Sequence, residues 1–171
     1  MNPVIYFIED QEALTSYVII ARQEDRFPGC TILAADSIDD AFEWCEHYDG
    51  DVIFVVDSRM ISELLPQYLE KALKNSDIAM QDISDFVGNE ILTGALGTAV
   101  LRHLKPYSRI ILLTAFSKKI SQIRQNGPML DGLLGRSIDA SLSKTSPEAL
   151  TQTIQTQLME LSRTRRRQQS E

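Results

Sequence analysis

Five short apolar runs, each closed by an acid, a hydroxyl or a lysine, constrain this chain more than any other feature. Val4–Ile8 is apolar throughout and ends in Glu9-Asp10. Thr31–Ala35 follows, and Val52–Val56 then delivers Asp57. Arg109–Leu113 runs into Thr114-Ala115, and the weaker Ala140–Ser143 into Lys144. Runs this short, without polar alternation, read as strands covered on both faces, which is the habit of a parallel sheet. Helical spacing fills the gaps. Leu14, Val18 and Ala21 mark residues 11–25. Ser37 can cap a helix carrying Ile38, Ala41, Phe42 and Cys45. Residues 90–104 and 117–125 are helical, Gly127 to Gly135 reads as a long connection, and Ser146-Pro147-Glu148 opens a last helix with Leu150, Ile154, Leu158 and Leu161. Strand–helix alternation of this kind makes an α/β chain with a doubly wound, parallel five-stranded sheet.

The 171 residues fit one such domain. With 17 basic and 24 acidic side chains the net charge is −7, and Arg163, Arg165, Arg166 and Arg167 stand at the very end. Residues 1–162 are therefore acidic, which makes nucleic acid an unfavourable partner for them. Residues 163–171 read as a flexible basic tail. No apolar run is long enough to span a bilayer. Cys30 and Cys45 are too few for a disulfide framework and have no neighbouring ligands for zinc. The expected compartment is the cytoplasm.

Ligands bind at the carboxyl ends of strands in open parallel sheets. Here those ends bring Glu9, Asp10, Asp57, Thr114 and Lys144 together. Clustered carboxylates suit a hard divalent cation such as Mg²⁺, and a lysine with a hydroxyl beside them suits a phosphoryl group. Any one of these residues alone would more often be a cap or an exposed loop residue; their joint occurrence carries the signal.

The motifs Phe-Ile-Glu-Asp at 7–10, Val-Val-Asp-Ser-Arg-Met at 55–60, Leu-Leu-Thr-Ala at 112–115 and Leu-Ser-Lys at 142–144 occur in the order found in response-regulator receiver domains, which this chain resembles over roughly residues 3–60 and 89–161. The resemblance implies a flavodoxin-like receiver fold over 1–162, stand-alone in type and not an enzyme beyond its own phosphorylation and dephosphorylation. It implies that Asp57 takes a phosphoryl group from a sensor histidine kinase or a phosphotransfer protein, with Thr114 and Lys144 contacting that group. Mg²⁺ would be held by Asp10, Asp57 and the Arg59 carbonyl, with Glu9 acting through a bound water. The output would be a contact with a downstream protein, and a homodimer is a further partner open to it.

Several positions depart from the family. The interval from Asp57 to Thr114 is far longer than usual, so a helical insertion of about 61–88 follows the third strand. Its apolar residues either pack on the core or form a partner surface, and Asp77, Asp82 and Asp85 read as a solvated face. Ser141 replaces an aromatic residue, and Thr145 replaces the proline after the lysine, where a cis bond would be costly. Ile61 stands in place of a proline. The Arg59 side chain either reaches over the phosphoryl or is simply exposed. The alternative function is a phosphorylation-independent, receiver-like adaptor that binds a partner through the insertion.

Overall fold

A computed structural model describes residues 2–9, 12–143 and 146–171. Five parallel strands, β1 (Val4–Ile8), β2 (Thr31–Ala35), β3 (Val52–Asp57), β4 (Arg109–Thr114) and β5 (Ala140–Ser143), form one sheet in the order β2-β1-β3-β4-β5. The chain winds outward from β1 to β2, then returns to place β3 on the other side of β1. The C-terminal ends of β1 and β3 therefore flank the point where the winding reverses, the usual crevice of a doubly wound sheet.

Side-chain alternation divides the core in two. Ile5, Phe7, Ile53, Val55, Ile111 and Leu113 face α1 (Glu12–Gln23) and α8 (Pro147–Ser170). Tyr6, Ile8, Phe54, Val56, Ile110 and Leu112 face the opposite layer, built from α2 (Ile38–Cys45), α3 (Leu65–Leu73), the short α4 (Met80–Ile83), α5 (Glu90–Leu104), α6 (Ser117–Asn126) and α7 (Pro128–Ser137). Ser37 caps α2 by accepting the Asp39 N–H at 3.1 Å, and Ser146 caps α8 by accepting the Ala149 N–H at 3.2 Å.

Helix α5 decides the shape of that second layer. No charged residue occurs from Ile91 to Leu101, and every residue from Leu92 to Leu101 is buried. A helix apolar on all sides must be covered on all sides. The sheet, α2 and α7 cover part of it, and the insertion covers the rest. Leu65, Leu69 and Leu73 of α3, with Ile78 and Ile83 beyond them, join the core that contains Leu92, Leu96 and Val100. These residues pack on the core, whereas Ile61 at the start of the insertion is exposed. Its start is tied to α2 through Asp39, which accepts from the Ser62 hydroxyl and from the Glu63 N–H at 3.0 Å. Asp77, Asp82 and Asp85 of the insertion are exposed: Asp82 accepts the Ala79 N–H at 2.9 Å and opens α4, while Asp77 pairs with Arg136 of α7 at 3.0 Å. That guanidinium holds the Asp77 carboxyl below its usual range.

Two expectations need correction. Residues 127–135 are not a bare connection. Pro128 stands at the first position of α7, and Leu130, Leu133 and Leu134 at helical spacing bury one face while Gly132 and Gly135 lie on the exposed side. Glycines obscured a stripe that the leucines carry. At the C-terminus, the segment read as a flexible tail continues α8 to Ser170. Arg and Gln are good helix formers, and Arg165 reaches Asp51 at 3.1 Å. The weak fifth strand is held at its start by Asp139, whose carboxylate accepts from the Ile110 N–H at 2.8 Å and from Arg102 at 2.6 Å.

If the insertion is a layer of the core, truncating it should cost as much as truncating any core residue. Leu69→Ala is expected to destabilise the protein by about 2–5 kcal/mol, read as a lower urea midpoint. An unchanged midpoint would return the insertion to the status of an appended surface.

Candidate functional site

Asp57 is the last residue of β3 and is 1% exposed. It owes this burial to a strand covered on both faces. The turn that follows is fixed by its own backbone. The Arg59 N–H donates to Asp57 Oδ1 at 3.2 Å, the Ser58 N–H donates to the Leu113 carbonyl at 2.8 Å, and the Met60 N–H donates to the Glu90 carbonyl at 3.3 Å. From the other side, the Gly94 N–H donates to the Ser58 carbonyl at 2.8 Å. Gly94 sits on the close side of α5: a Cβ there would stand 1.7 Å from the Asp57 carbonyl oxygen. Only glycine lets a helix backbone come this near the strand end.

Thr114 ends β4 and is buried beside this turn. Its Oγ1 accepts the Ser58 hydroxyl at 2.8 Å and the Phe116 N–H at 2.9 Å. On the far side, Ser143 of β5 pairs in register with Thr114, and its hydroxyl lies 3.3 Å from that of Ser117. Thr114, Phe116, Ser117, Lys118, Lys119 and Ser143 line an open cleft of about 570 Å³. The two lysines give this side of the site positive charge.

Glu9 follows β1 and is 9% exposed. Ile8, just before it, pairs with Val56, just before Asp57, and the Glu9 N–H donates to the Ala35 carbonyl at 3.0 Å. Glu9 also lines a cleft of about 390 Å³ with Asp36 and Asp40 at the end of β2. The Arg59 side chain is exposed. Its Nε lies 3.9 Å from Glu90, and its guanidinium is 6.0 Å from the Phe116 ring centroid. Asp10, Lys144 and Thr145 lie outside the described residues. Ser141 is exposed on β5. No cis peptide bond occurs among the described residues.

Asp57 ends β3 and Glu9 follows β1, and carboxylates are the ligands of hard divalent cations and not of soft ones. Among the described residues no group of three His, Cys, Asp or Glu side chains is gathered closely enough to hold a metal ion. Thiol chemistry has no foothold near it: burial raises both cysteines, Cys45 to about 12, so neither offers a ready thiolate at neutral pH.

No family model and no curated protein matches the sequence. Solved structures do. The receiver domain of a Francisella response regulator superposes with a TM-score of 0.57 at 16% identity, over 95% of this chain and 99% of that one. The Vibrio cholerae chemotaxis protein CheY4 gives 0.55 at 14%, over 92% and 99%. The Thermotoga maritima response regulator TrrA, solved in complex with Mg²⁺ and BeF, gives 0.54 at 17%, over 91% and 98%. The fold is that of a response-regulator receiver domain. The match to that receiver covers 95% of this chain, and the doubly wound sheet expected from the sequence is the one present.

Four contributors to this receiver-fold site escaped sequence reading. Ser58, Glu90 and Phe116 left no signal, because each acts through a contact distant in sequence. Gly94 did leave one: a glycine inside a helical stretch marks a close approach more often than a break. Its role can be tested against Gly132, also helical, whose Cβ would meet nothing within 4 Å. Gly94→Ala is expected to destabilise by about 1–3 kcal/mol through overpacking, whereas Gly132→Ala should stabilise by roughly 0.5–1 kcal/mol, both read by thermal melting. Equal effects would remove the special status of Gly94.

Proposed function

We propose that the protein is a phosphoacceptor receiver in which Asp57 accepts a phosphoryl group and thereby switches a protein–protein contact. The observation that carries this reading is a buried carboxylate at the reversal point of a doubly wound parallel sheet, with the Thr114 hydroxyl one strand away and joined to it through Ser58.

The donor is a phosphohistidine on a sensor kinase or a phosphotransfer protein, which places the protein in the cytoplasm. An Asp57 carboxylate oxygen attacks phosphorus, the P–N bond to the imidazole breaks as the P–O bond forms, and the imidazole leaves with the electron pair. Little covalent work falls to the chain beyond supplying that oxygen. Glu9, Asp10, Asp57 and the Arg59 carbonyl would hold Mg²⁺, with Glu9 acting through water. The ion supplies charge neutralisation on the phosphoryl oxygens when bound. Lys144 offsets the remaining charge, and Thr114 donates a hydrogen bond to the attached phosphoryl. The β3 turn keeps Asp57 in place, since hydrogen bonds to β4 and α5 hold its backbone. Exposed Ala115 leaves the approach to Asp57 uncrowded. Arg59, lying between Glu90 and Phe116, tunes how long the phosphoryl survives.

Incubation with a small-molecule phosphodonor and Mg²⁺, read by intact mass, is expected to add one phosphoryl group. The gain should vanish in Asp57→Asn and on chelation of the metal. A protein that gains nothing from the donor or from a histidine kinase, and that binds no Mg²⁺, would be a receiver-like adaptor instead.

A further inference from the structure

Helix α8 outlasts its cover. Its buried stripe runs through Leu150, Ile154, Gln157 and Leu161, and no residue beyond Leu161 is buried. The helix still continues to Ser170, and residues 163–171 hold four arginines against one acid, Glu171. At about 100° per residue these arginines divide between two faces. Arg165 stands four residues after Leu161, on the inner face, and pairs with Asp51 at 3.1 Å. Asp51 directly precedes β3, so this pair ties the helix to the end of the sheet opposite Asp57. Arg163, Arg166 and Arg167 stand at i, i+3 and i+4 and so share the outer face. All three are exposed. Arg163 also reaches Glu160 at 2.6 Å, while Arg166 and Arg167 form no ion pair with any described residue. The helix dipole favours cations in the final turn, where Arg167 is the only basic residue. It does not account for the outer row.

We propose that this outer row is a docking surface for the phosphate backbone of duplex DNA, bound without regard to sequence. The chemistry selects the partner. All four cations are arginine, whose planar fork matches a phosphate in two hydrogen bonds where lysine offers a point charge. Gln168 and Gln169 follow them, with side-chain amides of the kind that donate to backbone phosphates. No apolar residue occurs from Ser162 to Glu171, so the segment has no face to sink into a membrane. An α-helix is about 10–12 Å across and fits the B-form major groove, about 12 Å wide, whereas the deep, narrow major groove of duplex RNA is closed to side chains. The acidic body lies behind the inner face, about 10 Å from the outer row across the helix. That separation exceeds the Debye length at physiological salt, about 8 Å, so the body does not cancel the row. This surface is independent of the phosphoacceptor reading of Asp57.

The test is fluorescence anisotropy of a labelled DNA duplex of mixed sequence, titrated with the whole chain over a salt series that starts at low ionic strength. With one phosphate neutralised by each outer arginine, the logarithm of the association constant should fall against that of salt with a slope of about −2.7. Arg166→Gln combined with Arg167→Gln should bring the slope to about −0.9 and weaken binding roughly tenfold or more at low salt. Glutamine is a good helix former, so the helix survives the change. Lys71→Gln combined with Lys74→Gln removes the same net charge from exposed lysines at the end of α3, and should leave affinity and slope as they were. No binding at low ionic strength, or an equal loss in the two double variants, overturns the proposal. So does polyglutamate that displaces the duplex at equal charge concentration, which would make the row a docking surface for acidic protein.

Discussion

The backbone of α5 lies against the end of β3 with no side chain between them. Gly94 makes this contact possible, and the bonds from Gly94 to Ser58 and from Met60 to Glu90 hold it. Much of the second layer follows from it. A helix drawn so close to the sheet carries its remaining faces outward, and in this chain those faces are Leu92, Leu96, Val100 and Leu101, not polar residues. Leaving them in water would expose an apolar patch of the kind that single soluble domains avoid. The insertion covers it. Gly97 makes a similar allowance on the α2 side, where a Cβ would stand 2.1 Å from Ile38 Cδ1. The two glycines are the concessions that let a helix with no charge from Ile91 to Leu101 be enclosed by a sheet and the helices α2, α3 and α7.

The same contact bears on the electrostatics of Asp57. Burying a carboxylate is costly unless hydrogen bonds or opposite charge compensate it. The Arg59 N–H supplies one such bond, and it can do so because the turn carrying it is pinned on both sides. Positive charge stands on the far side, where Lys118 and Lys119 line the cleft next to Thr114. The acids stand on the near side, with Glu9, Asp36 and Asp40 around the end of β1 and β2. Acids thus line the cleft on the β1 and β2 side and lysines the cleft on the β4 and β5 side.

What could be read from the sequence divides along physical lines. The strands were legible because each is a short apolar run with a polar stop, and a parallel core strand needs nothing else. The positions of Asp57 and Thr114 came with them, since a residue at the end of a parallel strand goes where the strand goes. Helix α5 was legible as a helix, but its enclosure was not, because a pattern apolar on all sides says that cover exists and not what supplies it. Helix α7 was hidden by Gly127, Gly132 and Gly135, read as chain breakers although the two inner ones lie on an exposed face that asks nothing of a side chain. The Ser58–Thr114 bond spans 56 residues of sequence and has no local signature. Strand register brings the two hydroxyls together, and register is a property of the sheet.

The enclosure of α5 also makes the surroundings of Asp57 unequal in stiffness. On the α5 side, backbone hydrogen bonds, a glycine contact and a packed second layer oppose any displacement of the β3 turn. On the β4 side, Ala115 and Ser117 are exposed and Phe116 is only half-buried, so little packing opposes movement there. Local opening follows low burial and few contacts. A chemical change at Asp57 therefore meets a rigid wall towards α5 and a compliant segment towards α6. Thr114 stands at the boundary, its oxygen bonded to Ser58 on the rigid side and to the Phe116 N–H on the compliant one.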